Sequence, residues 1–191
     1  VAYGETCSHY LTHTREAPIG NLGKVNPPLR SEEDIEAMWE GLRSGVIDTV
    51  GSDHGGFKRV KKEGDLWSAL PGFPGVATIL PVLLSEGVNK GRISIERAAE
   101  VSSYNAAKIF GLYPRKGAIE VGSDADLVMV DMDLEKTVTP ELLGSMSDFT
   151  IYDGWSLKGW PVLTMVRGQV VMKDGEIVGG AGRGRYVRWL P

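Results

Sequence analysis

One carboxylate lies in a sequence context typical of an active site. Asp53 belongs to the glycine-rich stretch 51–56, which directly follows residues 46–50, a short run that predicts a strand. Folds with parallel strands place their active sites beyond the carboxyl ends of those strands, and glycines let a ligand approach the backbone closely. Asp53 is therefore a candidate metal ligand or general base. An aspartate that only shapes a turn is an equally good interpretation.

The histidines and the single cysteine are weaker candidates. His9 and His13 have i,i+4 spacing, which on a helix would direct both rings to one zinc ion, but the segment lacks a helical pattern. We therefore favour a polar loop pair. His54 adjoins Asp53, although three histidines are few for a binuclear metal centre. Cys7 lies in a strand-like run, where a small buried residue is much commoner than a nucleophile.

The elements that must position Asp53 form a strand–helix–strand pattern. Residues 1–11 predict a strand, and residues 46–50 predict a second one. Between them, Ser31 with Asp34 three positions later resembles a capping box, and Gly45 is a helix stop. This order predicts a βαβ unit, and therefore two parallel strands.

The remainder of the chain divides into a helical part and a β-rich part. Helices are predicted at 76–86, 94–103 and 105–110. Strands are predicted at 125–131, 162–166, 169–172 and 176–178, with a hairpin turn at Asp174-Gly175. The glycine-rich stretch 180–185 resembles a phosphate loop only loosely, because no helix follows it, so we favour a tail.

Composition limits the classes of protein to consider. Hydrophobic residues make up 42% of the 191 residues and charged residues 24%, which excludes a disordered chain. The formal net charge of −4, without a basic tract, argues against nucleic acid as a partner, and no apolar run approaches a membrane span. A lone cysteine favours a cytoplasmic location. Because the chain begins at Val1, we expect it to be a piece of a longer protein.

Five motifs in order resemble the cyclic amidohydrolases, the group of dihydropyrimidinase, hydantoinase, allantoinase and dihydroorotase. They are GETCSHYL at 4–11, NPPLR at 26–30, GSDH at 51–54, SYNAAKIFGLYPRKG at 103–117 and VGSDADLV at 121–128. The resemblance covers nearly the whole chain, and it is nearest to the dihydropyrimidinase and hydantoinase branch.

The resemblance implies an α/β fold class. Residues 1–117 would be the C-terminal part of a metal-dependent hydrolase TIM barrel, with its last two strands and helices, and residues 118–191 a small β-sandwich portion. The segments 1–11 and 46–50 would be barrel strands seven and eight. The family's His-x-His pair, carboxylated lysine and two later histidines precede strand seven, and no His-x-His occurs in this sequence.

The resemblance also assigns roles to three residues. Asp53 would be catalytic and a metal ligand, binding one of two divalent ions, expected to be zinc, and taking a proton from the bridging hydroxide. Asn26 would contact the substrate amide. Gly72, in the segment 71–75 that gives a backbone contact to the ring, replaces an asparagine common in hydantoinases.

Two further positions bear on the substrate. Dihydroorotases have a second histidine four residues after the aspartate, where this chain has Phe57, which argues against that branch. His9, however, fits the dihydroorotase and allantoinase form of strand seven. The substrate is therefore expected to be a small cyclic amide of the dihydropyrimidine, hydantoin or allantoin type. These two positions do not distinguish among the three.

Three hypotheses about function remain. In the first, the complete protein is a cytoplasmic, homo-oligomeric (tetrameric) hydrolase that opens a ring C–N bond. In the second, it is a non-catalytic dihydropyrimidinase-like scaffold protein; such proteins tend to replace the aspartate that this chain retains as Asp53. In the third, the chain is a fragment that is inactive alone, because most of the family's metal ligands are absent from it.

Overall fold

A βαβ unit forms the first part of the fold. The computed structural model describes residues 2–188, in which β1 (Glu5–Cys7) and β2 (Thr49–Gly51) pair in parallel, with Thr6 opposite Val50. Helix α1 (Glu32–Ser44) connects the two strands. The predicted parallel pair is thus confirmed, while Val1, the first residue of the predicted strand, lies outside the described residues.

Local sequence signals fix both ends of α1. The backbone N–H of Asp34 donates to the Ser31 hydroxyl, and the backbone N–H of Ser31 donates to the Asp34 carboxylate at 3.0 Å, so the predicted capping box is confirmed. Gly45 ends the helix at φ 85°, a backbone conformation that favours glycine. The helix buries one apolar face, which consists of Ile35, Trp39 and Leu42.

Both strands of this unit are shorter than the sequence predicts. Residues 1–11 were expected to be one strand, but Ser8–Leu11 form a 3-10 turn. The backbone N–H groups of Thr12 and His13 both donate to the His9 carbonyl, at 3.3 and 3.0 Å, so the chain folds back and buries Leu11. The second strand begins at Thr49 rather than at residue 46.

Two helical runs follow β2 and a 3-10 turn at Arg59–Lys62. The first comprises a 3-10 turn, α2 and a π-helical segment, at Val76–Thr78, Ile79–Val82 and Leu83–Val88. The second comprises α3, a π-helical segment and α4, at Ile95–Ala99, Glu100–Tyr104 and Asn105–Ile109. The two helices predicted at 94–103 and 105–110 are therefore one continuous run, because the π-helical segment joins them without a break.

The C-terminal part contains a four-stranded antiparallel sheet with strand order β3-β4-β5-β6. The strands span Leu127–Thr137, Ser156–Val166, Gln169–Lys173 and Glu176–Ile177. Asp174 (φ 51°) and Gly175 (φ 90°) have the positive φ angles of a two-residue hairpin turn, so the predicted hairpin is confirmed. This sheet is a single layer, and the β-sandwich stays a prediction.

Two hydrophobic clusters hold the chain together. One packs α1 and β2 against the helical runs, and contains Leu11, Ile35, Trp39, Leu42, Val50, Leu83, Ile93, Ala98 and Val101. The other joins the loops after both strands to the antiparallel part, and contains Val25, Leu29, Phe73, Val82, Val138, Phe149, Ile151, Tyr152, Leu157 and Trp160. This mixture of helix and sheet confirms the α/β class. Within residues 2–188, no helix is both long and apolar enough to cross a membrane.

Candidate functional site

Asp53 lies two residues beyond the C-terminal end of β2. The chain segments that carry Asn26 and Gly72 follow β1 and β2, and therefore leave from the same edge of this parallel strand pair. Its φ of 45° is in the left-handed region, which few non-glycine residues adopt and which aspartate tolerates better than most. The side chain is exposed. A carboxylate held in an uncommon backbone conformation at a strand end is typical of a functional position.

The carboxylate of Asp53 acts electrostatically on the end of β1. Burial raises the pKa of the Cys7 thiol to about 11, and the negative charges of Asp53 and Glu5 add to that effect. The thiol is therefore protonated at neutral pH, which removes Cys7 as a nucleophile because the thiolate is the reactive form. This agrees with the interpretation of Cys7 as a structural residue.

Tyr10 connects this region to the segment that carries Asn26. Burial raises the pKa of the Tyr10 phenol to about 12, and the negative charge of Asp53 adds to that effect. The protonated hydroxyl donates to the Pro27 carbonyl at 2.6 Å. Asn26 is exposed beside this anchored proline and the buried Val25, so its side chain is available to a ligand.

Gly72 lies on a loop that is tied to both of the other segments. Its φ of 95° requires glycine, and nothing lies within 4 Å of the position that a Cβ would take. Its backbone N–H donates to the Lys24 carbonyl at 2.9 Å, two residues before Asn26. The next residue, Phe73, accepts at its carbonyl from the Gly55 N–H at 2.9 Å, two residues after Asp53. The structure therefore connects the segments of all three predicted site residues.

His54 has a backbone-binding role next to Asp53. Its Nδ1 accepts from the N–H groups of Gly75 and Val76 at 3.2 and 3.3 Å. Because Nδ1 is an acceptor here, the proton of the neutral ring is on Nε2. The ring also lines a cavity of about 230 Å³ together with Gly56, Pro74, Gly75, Val76, Ala77, Leu143, Gly144, Ser145 and Met146. His54 thus fixes the loop that follows Gly72.

The interpretation of His9 and His13 as a polar loop pair is wrong, because both rings are buried. His9 is 1% exposed and His13 is 3% exposed. The His9 ring lies against Tyr10 and Phe73, with ring centroids 4.2 and 4.9 Å apart, and no hydrogen-bond partner for its Nε2 occurs within residues 2–188. Burial, and then the neighbouring His13, lowers the pKa of His9 to about 4.

The described residues do not by themselves make a zinc site. Across residues 2–188, no three His, Cys, Asp or Glu side chains converge into a group that could hold a metal ion. A catalytic zinc normally has three protein ligands. Asp53 could supply one of them, whereas the rings of His9 and His13 are buried in the interior.

Sequence analysis missed Lys62, which is only 3% exposed. Burial, and then the charge of Lys24, lowers the pKa of its amine to about 8. Consecutive lysines at 61 and 62 in a polar stretch indicate a solvated turn, and no local signal distinguishes the buried lysine from its exposed neighbour. Tyr10 was also missed as a link between segments, although it lies within the motif at 4–11.

A profile of the amidohydrolase family matches residues 11–171. This match covers most of the chain, including β2, the Asp53 loop and most of the antiparallel sheet. The chain belongs to the amidohydrolase family, and the family resemblance of its motifs is confirmed.

Individual relatives include hydantoinases and a dihydroorotase. The chain is 47% identical over 188 residues to L-hydantoinase from Paenarthrobacter aurescens, covering 96% of this chain and 41% of the relative. It is 42% identical to dihydroorotase from Halobacterium salinarum, and the match covers 98% of this chain and 44% of the relative. A crystal structure of D-hydantoinase superposes with a TM-score of 0.93 at 36% identity, and the match covers 98% of this chain and 43% of that one. The chain therefore spans about two fifths of the length of these relatives.

Proposed function

We propose that the protein containing this chain hydrolyses a ring C–N bond of a cyclic amide of the dihydropyrimidine, hydantoin or allantoin type. The observation that carries the proposal is that two backbone hydrogen bonds tie the Gly72 loop to the segments of Asn26 and Asp53: Gly72 N–H to the Lys24 carbonyl, and Gly55 N–H to the Phe73 carbonyl. The hydantoinase relatives support the substrate class. A hydrolase needs a proton acceptor beside a binding surface for the ring, and these segments offer both.

In this proposal each of the three residues has a separate task. The carboxylate of Asp53 accepts a proton from the attacking water, whose oxygen bonds to the ring carbonyl carbon. The same proton then passes to the ring nitrogen as the C–N bond breaks, which leaves a carboxylic acid and a free N–H. The Asn26 amide hydrogen-bonds the substrate amide, and the backbone at Gly72 contacts the ring and orients it.

The complete site and assembly belong to the proposal as well. We propose that residues 1–117 form the last part of a metal-dependent TIM barrel and residues 118–191 a portion of a β-sandwich. Zinc bound with Asp53 as one ligand would polarise the carbonyl and acidify water. The complete protein would be a homo-oligomer, a tetramer in this proposal, and the isolated chain would be inactive. The scaffold alternative is not favoured, because Asp53 is retained.

A chimeric enzyme tests the proposal directly. In it, this chain replaces the matching portion of L-hydantoinase from Paenarthrobacter aurescens, and ring opening of hydantoin, dihydrouracil and allantoin is followed by absorbance. Asp53→Asn keeps the size and the left-handed backbone but cannot accept a proton, so kcat should fall about 10²- to 10⁴-fold with little change in KM. Asp174→Asn, which changes another positive-φ aspartate in a distant hairpin, is the matched control and should leave both unchanged.

Two results would overturn the proposal. One is a folded chimera, with the wild-type chain, that opens none of the three rings. The other is an Asp53→Asn chimera that keeps the activity of the wild-type chimera, because the carboxylate would then have no part in proton transfer.

A further inference from the structure

Lys62 is a buried amine without an acidic partner. No ion pair joins it to a carboxylate within residues 2–188, although buried lysines are normally paired. Its Nζ lies 5.8 Å from the Phe57 ring centroid and 5.6 Å from that of Phe73. Its amine donates to the Lys24 carbonyl at 2.9 Å. The Lys62 amine thus lies between two aromatic rings and makes its hydrogen bond to a backbone carbonyl, that of Lys24.

That carbonyl is a junction between two segments of the candidate site. The Lys24 oxygen accepts from the Lys62 amine and also from the Gly72 N–H, each at 2.9 Å. The Lys24 side chain reinforces the same connection, because its Nζ donates to the carbonyls of Trp67 and Ala69 at 3.2 and 2.6 Å. Asn26 lies two residues after Lys24, so the junction sets the distance between Asn26 and Gly72.

We propose that Lys62 is a positioning residue that fixes the Lys24 carbonyl and thereby holds Asn26 and Gly72 at the separation needed to bind the ring of the substrate. This inference rests on the function proposed above. A charged donor forms a shorter and stronger hydrogen bond than a neutral one, which suits an amine that must orient a carbonyl with two acceptor directions. Lys62 is not a catalytic residue, because its amine contacts the protein backbone rather than the reacting atoms.

The test compares Lys62→Met with Lys61→Met. Methionine keeps the length and apolar character of the buried stem, and it removes a buried charge, so the fold should be retained. Lys61 is the exposed neighbour in the same 3-10 turn, which makes its variant a matched control for loss of one charge. Hydrogen exchange of the Gly72 amide in this chain should accelerate about tenfold in Lys62→Met and remain unchanged in Lys61→Met.

Kinetics in the chimera provide a readout that a purely structural role would not change. In Lys62→Met, KM should rise about tenfold while kcat stays within about twofold, because Asp53 is outside the junction. Unchanged Gly72 exchange would overturn the link between Lys62 and the loop. Faster exchange with an unchanged KM would overturn the positioning role. If the wild-type chimera opens no ring, the proposed function fails, and the exchange rates alone still decide whether Lys62 holds Gly72.

Discussion

His13 Nε2 lies 3.0 Å from the carbonyl oxygen of Ile151, a residue 138 positions later in the chain. A carbonyl can only accept, so Nε2 carries the proton, and Nδ1 is left to accept from the Thr12 hydroxyl at 2.9 Å. The His13 ring also stacks on Trp155, with centroids 4.9 Å apart. A neutral imidazole thus joins the turn after β1 to the segment before β4.

The buried histidines predict a loss of stability in acid. Unfolded imidazoles bind protons below about pH 6.5, whereas His9 in the folded chain does so only below about pH 4, and the pKa of His13 is also lowered by burial. The free energy of unfolding therefore has its full value above about pH 6.5 and decreases as the pH falls towards 4. His9 alone should account for about 3 kcal/mol of that decrease, measured by urea denaturation at a series of pH values.

His9→Phe is the control for this prediction. The phenyl ring can occupy the space between Tyr10 and Phe73 without titrating. Between pH 7 and pH 4, the free energy of unfolding should decrease by about 3 kcal/mol less in the variant than in the wild type. Identical pH dependences in the two proteins would show that His9 does not titrate in this way.

Thiol reactivity reports on the distance between Cys7 and Asp53. With its pKa raised to about 11, the Cys7 thiol should react with an aromatic disulfide at pH 8 about 100-fold more slowly than an ordinary exposed thiol. Asp53→Asn removes one of the negative charges that raise this pKa, so the reaction should become faster. Asp174→Asn should leave the rate unchanged, and an equal acceleration in both variants would contradict the proximity of Cys7 and Asp53.

Asn26→Ala should weaken substrate binding in the chimera. A lost hydrogen bond to the substrate costs about 0.5–1.5 kcal/mol, which corresponds to a rise in KM of about two- to tenfold, with kcat nearly unchanged. Asn89→Ala is a suitable control, because the Asn89 amide donates to the Lys158 carbonyl at 2.9 Å and serves the fold instead. A KM for Asn26→Ala equal to that of the wild type would remove Asn26 from the binding surface.

Metal analysis distinguishes the chain from the complete site. Because Asp53 would supply one ligand where three are usual, the isolated chain should retain substoichiometric zinc after dialysis. The chimera should retain zinc, and Asp53→Ala should reduce its content. Stoichiometric zinc in the isolated chain, lost in Asp53→Ala, would mean that the described residues make a metal site unaided.

The parts of the fold that were predictable depend on short-range signals. Ser31, Asp34 and Gly45 define α1 through hydrogen bonds and backbone angles within a few residues, so the sequence reveals them directly. The hairpin at Asp174-Gly175 is predictable for the same reason, because its two-residue turn needs positive φ angles. The position of Asp53 after a short strand followed from the same local pattern.

The features that were missed depend on contacts between distant segments. His9 and His13 are buried by Phe73, Tyr152 and Trp155, all of which are far away in the sequence. Lys62 is buried because the loop carrying Phe73 packs over it, and the residues next to position 62 give no sign of that packing. Periodicity also does not reveal where a helix changes to π-helical geometry, so the join between α3 and α4 was predicted as a break.

The pairing of β1 with β2 has a consequence for the order in which the chain folds. Glu5 and Thr49 are 44 positions apart, so their pairing closes a long loop before any ladder contact forms. The turns joining β4, β5 and β6 contain two residues each, and their pairings close early. We therefore expect the antiparallel strands to form first and the surroundings of Asp53 to assemble last, so the candidate site would be among the first regions to open in the native protein.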